Sequence, residues 1–185
     1  MRNREQRTLF GKRRVERRPR YEAAIERQDR RQIPARAARV RWLKEVVPRN
    51  VGYILPVETA FVFEEARSCF VYGHFVATIV LAAAFLEHWL ISNLNSRGFE
   101  KEASRGLAAA IKFARKNKFA DPIVLDKAEH LRLIRNPFVH LKESDHEHNL
   151  TRRTVKSGTD PWVQSEIDAR ESIMAMYAVA TYWYG

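Results

Sequence analysis

From residue 57 onward, apolar residues return every three or four positions, the period of helices that bury one side. Ala60, Phe63, Ala66, Arg67 and Phe70 follow it over residues 57–71, and Gly73 marks a break. Residues 74–95 are apolar on nearly every side, which predicts the central helix of a bundle, with Gly98 placed to cap its end. Leu107, Ala110, Ile111 and Ala114 make a stripe with Lys112, Arg115 and Lys116 outside it, predicting a helix over 102–117. Asp121-Pro122 and Asp160-Pro161 each join an N-cap residue to a proline suited to the first helical position. They open helices over 122–142 and from 161 to the C-terminus, the latter with Ile167, Ala169, Ile173, Met176, Tyr177 and Ala180 for packing. The polar segment 143–160, with Gly158, reads as a loop. Upstream, Pro34 is expected to start a short helix through Val47 that presents Val40, Leu43 and Val47, and residues 48–56, with Pro48, Gly52 and Pro56, read as a linker. No strand pattern appears. The expected fold class is all-α, an up-down four- to five-helix bundle over 51–185 preceded by a basic N-terminal arm over 1–50 that is partly helical or disordered.

Composition sharpens this division. A chain of 185 residues that is 45% hydrophobic can build one core with an appendage. Residues 1–50 hold 17 Lys and Arg against 6 Asp and Glu, whereas residues 51–185 hold 16 of each. Arginine density of this kind binds phosphate backbones with strong salt dependence, and Arg13, Arg14, Arg17 and Arg18 are the expected RNA contacts. Tyr21 and Trp42 are available to stack on bases. The first thirty residues lack an apolar core for a secretory signal and are too acidic for a transit peptide. The apolar run 75–86 ends at Glu87, short of a membrane span, so a core helix without membrane association is expected. One cysteine, Cys69, forms no internal disulfide and fits a reduced, cytoplasmic compartment.

The chemistry concentrates near the end of the helix predicted over 122–142. At 100° per residue with Leu131 at the origin, Ile134, Phe138 and Leu141 fall at roughly 300°, 340° and 280°, a core stripe. Asn136 and His140 fall at about 140° and 180°, on the opposite face, and Arg135 at about 40°, on the border of the stripe. Pro137 removes a backbone donor and disturbs the helix near Asn136. An imidazole exchanges a proton near neutral pH, a guanidinium holds a phosphate through two hydrogen bonds, and an amide orients either. Where the 2′-hydroxyl of RNA is the nucleophile, this set needs neither metal nor cofactor. One copy is sparse, because proton removal and proton donation need two groups.

Arg135-Asn136 followed by His140, late in a chain whose earlier apolar helix carries Leu86-Glu87, resembles the HEPN superfamily, in particular its small prokaryotic members. The resemblance covers about residues 57–184 and leaves the first fifty outside. It implies a metal-independent endoribonuclease, a toxin or defence effector with an antitoxin partner, whose homodimer joins two Arg-x4-His motifs in one cleft. Arg135, Asn136 and His140 match the motif position by position, and many relatives are inactive, so a non-catalytic module binding nucleic acid or protein through the basic arm is the alternative. Glu87 interrupts an apolar helix and needs a partner if buried: Arg135 and His140 are the candidates, and the alternative is an exposed end-of-helix carboxylate or one paired locally with another side chain. Asp145-His146-Glu147-His148 offers metal ligands, but neighbours in a polar loop rarely converge on one ion, and no metal site is expected. Trp162, Tyr177, Tyr182, Trp183 and Tyr184 are expected to serve packing or the dimer interface rather than base stacking.

Overall fold

The most apolar stretch of the chain, Phe75–Asn95, folds as one helix and gathers its neighbours around it. The computed structural model describes residues 20–47, 55–143 and 145–182, with Thr181 and Tyr182 described by their backbone alone. Among these residues the fold is all-helical, with no strand. Eight helices follow in order: α1 (Arg20–Val46), α2 (Val57–Tyr72), α3 (Phe75–Asn95), α4 (Glu100–Ala103), α5 (Leu107–Lys116), α6 (Pro122–Val139), α7 (Leu150–Ser157) and α8 (Pro161–Tyr182).

Helix α3 packs against α2, α8, α6 and both short helices α4 and α5. By length and composition it is apolar enough to cross a membrane, yet half of its most apolar window is buried by the rest of the fold. Phe75, Ile79, Ala82, Ala83, Phe85, Leu86, Trp89, Leu90 and Leu94 go into the core on several of its sides. Fully burying one such large side chain is worth about 1.5–3 kcal/mol, so α3 anchors the fold mainly through area. Helices α2 and α8 close over it through Phe63, Phe70, Ile173 and Met176, with Phe63 edge-on to Tyr177 at 5.4 Å.

The turn between α2 and α3 is set by Gly73. Its φ of 83° lets its N–H reach the Phe70 carbonyl (3.1 Å) and the His74 N–H reach that of Cys69 (2.8 Å), a paired C-terminal closure that a side chain would strain. A Cβ at Gly73 would also lie 3.2 Å from Arg39 Nη2.

Several boundaries differ from the sequence expectation. Pro34 sits inside α1 instead of starting a helix, and the contact division of the chain falls between Ala35 and Arg36. Beyond that division, Leu43 is buried and Arg39, 8% exposed, donates through Nε to the Val71 carbonyl at 2.9 Å. Burial lowers the Arg39 pKa from its ordinary value. The helix expected over 102–117 is two helices, because Gly106 adopts a φ of 84° that helical geometry forbids. The segment expected as a loop over 143–160 contains α7, and Ile167, expected in the core, is exposed. Both aspartate caps form: Asp121 Oδ1 accepts from the Ile123 N–H at 2.7 Å and Asp160 Oδ1 from the Trp162 N–H at 2.8 Å.

Candidate functional site

Helix α6 carries the residues that the sequence singles out. Val124, Leu125, Ala128, Leu131 and Ile134 bury its inner side, which packs on α3, α5 and α8. Pro137 is accommodated within the last turn, but it has no N–H to donate to the Leu133 carbonyl, and the helix ends two residues later at Val139. The His140 N–H still bonds the Asn136 carbonyl at 2.8 Å, while its own φ of −134° and ψ of 125° are extended.

This ending corrects the helical-wheel expectation. His140 lies beyond the helix, exposed, so it does not stack above Asn136 on a helical face. Leu141 is 102% exposed and contributes nothing to the core stripe. Arg135 is not on the border either: it lies within about 20° of Val124 and Ala128 around the helix, on the buried side. From there it reaches α3, where Arg135 Nη2 meets Glu87 Oε2 at 3.5 Å, the two side chains being 18% and 27% exposed. At that length the contact is a half-buried ion pair rather than a short charge-assisted hydrogen bond. The structure thus brings together Glu87 and Arg135.

Asn136 has a different partner. In one amide orientation its oxygen receives only a 3.4 Å contact from Arg135 Nη1. Turned over, its nitrogen donates to the Arg132 carbonyl at 3.1 Å and its oxygen accepts from Arg132 Nη1 at 3.0 Å. The second orientation satisfies both ends of the amide, so Asn136 is held by Arg132, one turn earlier. Arg132 in turn grips Glu129 in a fork, Nε to Oε2 at 2.8 Å and Nη2 to Oε1 at 2.6 Å. That hydrogen-bonded fork holds the Glu129 carboxyl below its ordinary range against the opposing effect of burial, with the charges of Arg132, Arg115 and His148 adding to it. Glu129 and Arg132 are not among the residues that the sequence singles out; their i, i+3 spacing was the available signal.

The other expected groups are dispersed. Arg13, Arg14, Arg17 and Arg18 lie outside the described residues. Trp42 packs on Phe70 at 5.0 Å beneath the Arg170 guanidinium at 4.7 Å, which leaves it a structural ring, while Tyr21 is exposed. Trp162 stacks edge-on to Phe75 at 5.3 Å, Tyr177 is buried, and the side chains of Tyr182, Trp183 and Tyr184 lie outside the described set. His146 and His148 have rings 5.6 Å apart, and no group of three or more His, Cys, Asp or Glu suited to a metal ion occurs among the described residues. Burial and Glu65 raise the Cys69 thiol pKa, which disfavours the nucleophilic thiolate.

Beside α6 lies a groove of about 450 Å³ against α8, lined by Ile123, Leu131, Ile134 and Met174. His130 and Glu171 face each other across it at 3.1 Å. No protein-family model, curated protein or solved structure matches this chain.

Proposed function

We propose that this protein is a metal-independent endoribonuclease of HEPN type, with a composite site formed by two copies of the chain. The observation that carries the reading is the end of α6, where Glu87 anchors a half-buried guanidinium, Arg135, and an exposed imidazole, His140, follows five residues later. Arg135 would neutralise charge on the scissile phosphate, the usual largest contribution to such a reaction. One His140 imidazole takes the proton of the RNA 2′-hydroxyl as its oxygen attacks phosphorus. The second protomer's imidazole gives a proton to the departing 5′-oxygen. The products are a 2′,3′-cyclic phosphate and a 5′-hydroxyl, with no external nucleophile and no metal in the step.

Apolar side chains support the pairing of two copies: Ile123 and Met174 are exposed along the α6–α8 groove, with Val163 and Ile167 further along α8. We read the fold as an up-down bundle with a basic arm, acting in the cytoplasm as a toxin or defence effector that a neutralising protein partner would restrain. Purified full-length protein is expected to cut single-stranded RNA in EDTA and to leave cyclic phosphate ends. Arg135→Ala and His140→Ala are each expected to slow cutting by about 10²–10⁴-fold while folding normally. Wild-type cutting by either folded variant overturns the assignment.

One observation favours a second reading, a non-catalytic module that binds nucleic acid or a protein. Glu87 already occupies Arg135, and Asn136 belongs to Arg132, which leaves His140 without either expected helper. Binding that survives Arg135→Ala and His140→Ala but is lost when Arg13, Arg14, Arg17 and Arg18 become Gln would select it. Removing residues 1–50 is the poorer test, because it also strips Arg39 and Leu43 from the fold.

A further inference from the structure

The neutrality of residues 51–185 conceals a segregation of charge. Residues 97–118 carry seven Lys and Arg against two Glu, and the remainder of 51–185 carries nine against fourteen acids. All seven cations, from Arg97 to Lys118, are exposed. Helix α5 contains no acidic residue, so the Glu–Lys pairs that usually lace a solvated helix are missing from it. Its last-turn cations Arg115 and Lys116 suit a helix C-terminus, but Lys112 lies a turn earlier and Arg105 precedes the helix, where the dipole disfavours a cation. Arg115 is tied to Asp126 at 2.7 Å; Arg105, Lys112 and Lys116 make no ion pair among the described residues.

These three cations line surface grooves. One of about 240 Å³ runs between α4 and α5, bordered by Arg105, Lys112, Lys116, Phe113 and Glu102. A second, of about 450 Å³, continues over α5 toward α6 and shares Lys112 and Lys116. Glu129 borders this second groove, but its carboxylate is committed to Arg132. Phe113 belongs to a half-buried aromatic group with Phe99 (5.1 Å) and Phe119 (5.8 Å), and Arg97 lies 5.0 Å over the Phe119 ring. A ring edged by unpaired cations is the combination that holds an unpaired base and its flanking phosphates. An acidic peptide would use the cations and leave the ring idle.

We propose that the α4–α5 corner is a docking groove for single-stranded RNA, with Arg105, Lys112 and Lys116 on the phosphates and Phe113 against a base. The choice of RNA rests on the ribonuclease reading; the groove itself is separate from Arg135 and His140. The test uses full-length His140→Ala protein and a fluorescein-labelled twelve-nucleotide oligouridine, titrated by anisotropy across a range of KCl. Lys112→Glu with Lys116→Glu is expected to weaken binding at least tenfold and to make the log–log salt slope shallower by roughly 1.4, two phosphate contacts at about 0.7 each. Phe113→Leu is expected to weaken binding several-fold with the slope unchanged. A 5-iodouridine oligonucleotide is expected to crosslink within residues 105–116.

Unchanged affinity and slope in the folded double variant overturn the proposal, and so does a crosslink confined to other segments. Equal binding of the corresponding DNA oligomer would remove the preference for RNA, and displacement by polyglutamate with no effect of Phe113→Leu would identify an acidic protein surface instead. Should the double Glu variant fail to fold, Lys112→Gln with Lys116→Gln reads the same slope. A chain that binds through Lys112 and Lys116 but never cuts RNA sinks the nuclease reading alone. One that cuts yet ignores these lysines sinks the groove alone.

Discussion

Glu129 links the candidate site to pH. Its folded pKa lies below the ordinary glutamate value of 4.5, first because Arg132 hydrogen-bonds the carboxylate. A carboxyl depressed on folding contributes stability that is fully present above the unfolded pKa and is lost as pH falls through the lower folded value. Urea unfolding followed below pH 4.5 is therefore expected to show a decline in stability that Glu129→Gln makes shallower. A parallel decline in both proteins would assign the acid sensitivity elsewhere. Glu129 also determines what the sequence could reveal at this scale. The Glu87–Arg135 pair was legible because a carboxylate interrupting an apolar helix demands a partner. The placement of Asn136 was not, because it depends on an amide choosing between two arginines within hydrogen-bonding reach. His140 was misplaced because a wheel assumes a helix, and the helix ends after Pro137.

At the level of elements, the long apolar-striped helices and both aspartate caps could be read in advance, since each is encoded within a few neighbouring residues. Helix α7 could not. Its sequence, Leu150 to Ser157, is polar, and its attachment comes from a residue far along the chain: Arg153 grips Asp168 of α8 through Nη1 at 2.8 Å and Nη2 at 2.5 Å. Gln164 Nε2 donates to Asp168 Oδ1 at 3.0 Å, and Asp168 is 1% exposed. Removing one partner of a buried, forked pair leaves an uncompensated charge, so Asp168→Ala is expected to cost about 3–5 kcal/mol in urea unfolding. Hydrogen exchange over α7 is expected to accelerate in the same variant. Arg153→Met combined with Asp168→Leu removes both charges and is expected to cost less than Asp168→Ala; an equal or larger cost would mean that the ion pair itself stabilises the fold beyond what apolar packing can replace. The break in the helix expected over 102–117 has a similar origin: the stripe continues, but Gly106 takes a conformation that only the folded context selects.

For the molecule as a whole, the proposed composite site would make activity a property of two chains. Cutting per protomer is expected to fall on dilution in parallel with dimer dissociation measured by sedimentation, whereas a rate per protomer independent of concentration would place the complete site in one chain. Total charge was easy to read from the sequence and misleading in one respect, because summing over 51–185 cancelled the cations of Arg97–Lys118 against acids elsewhere. That cancellation has a consequence for motion in solution. Residues 51–185 taken alone carry no net charge but a displaced positive patch, so they add an electric moment to the net +11 of residues 1–50, and the field of a polyanion exerts a torque on that moment before contact. The patch would then bias encounters toward α5 alongside the attraction that the basic arm exerts. This orienting torque would fade as salt shortens the Debye length toward the size of the patch.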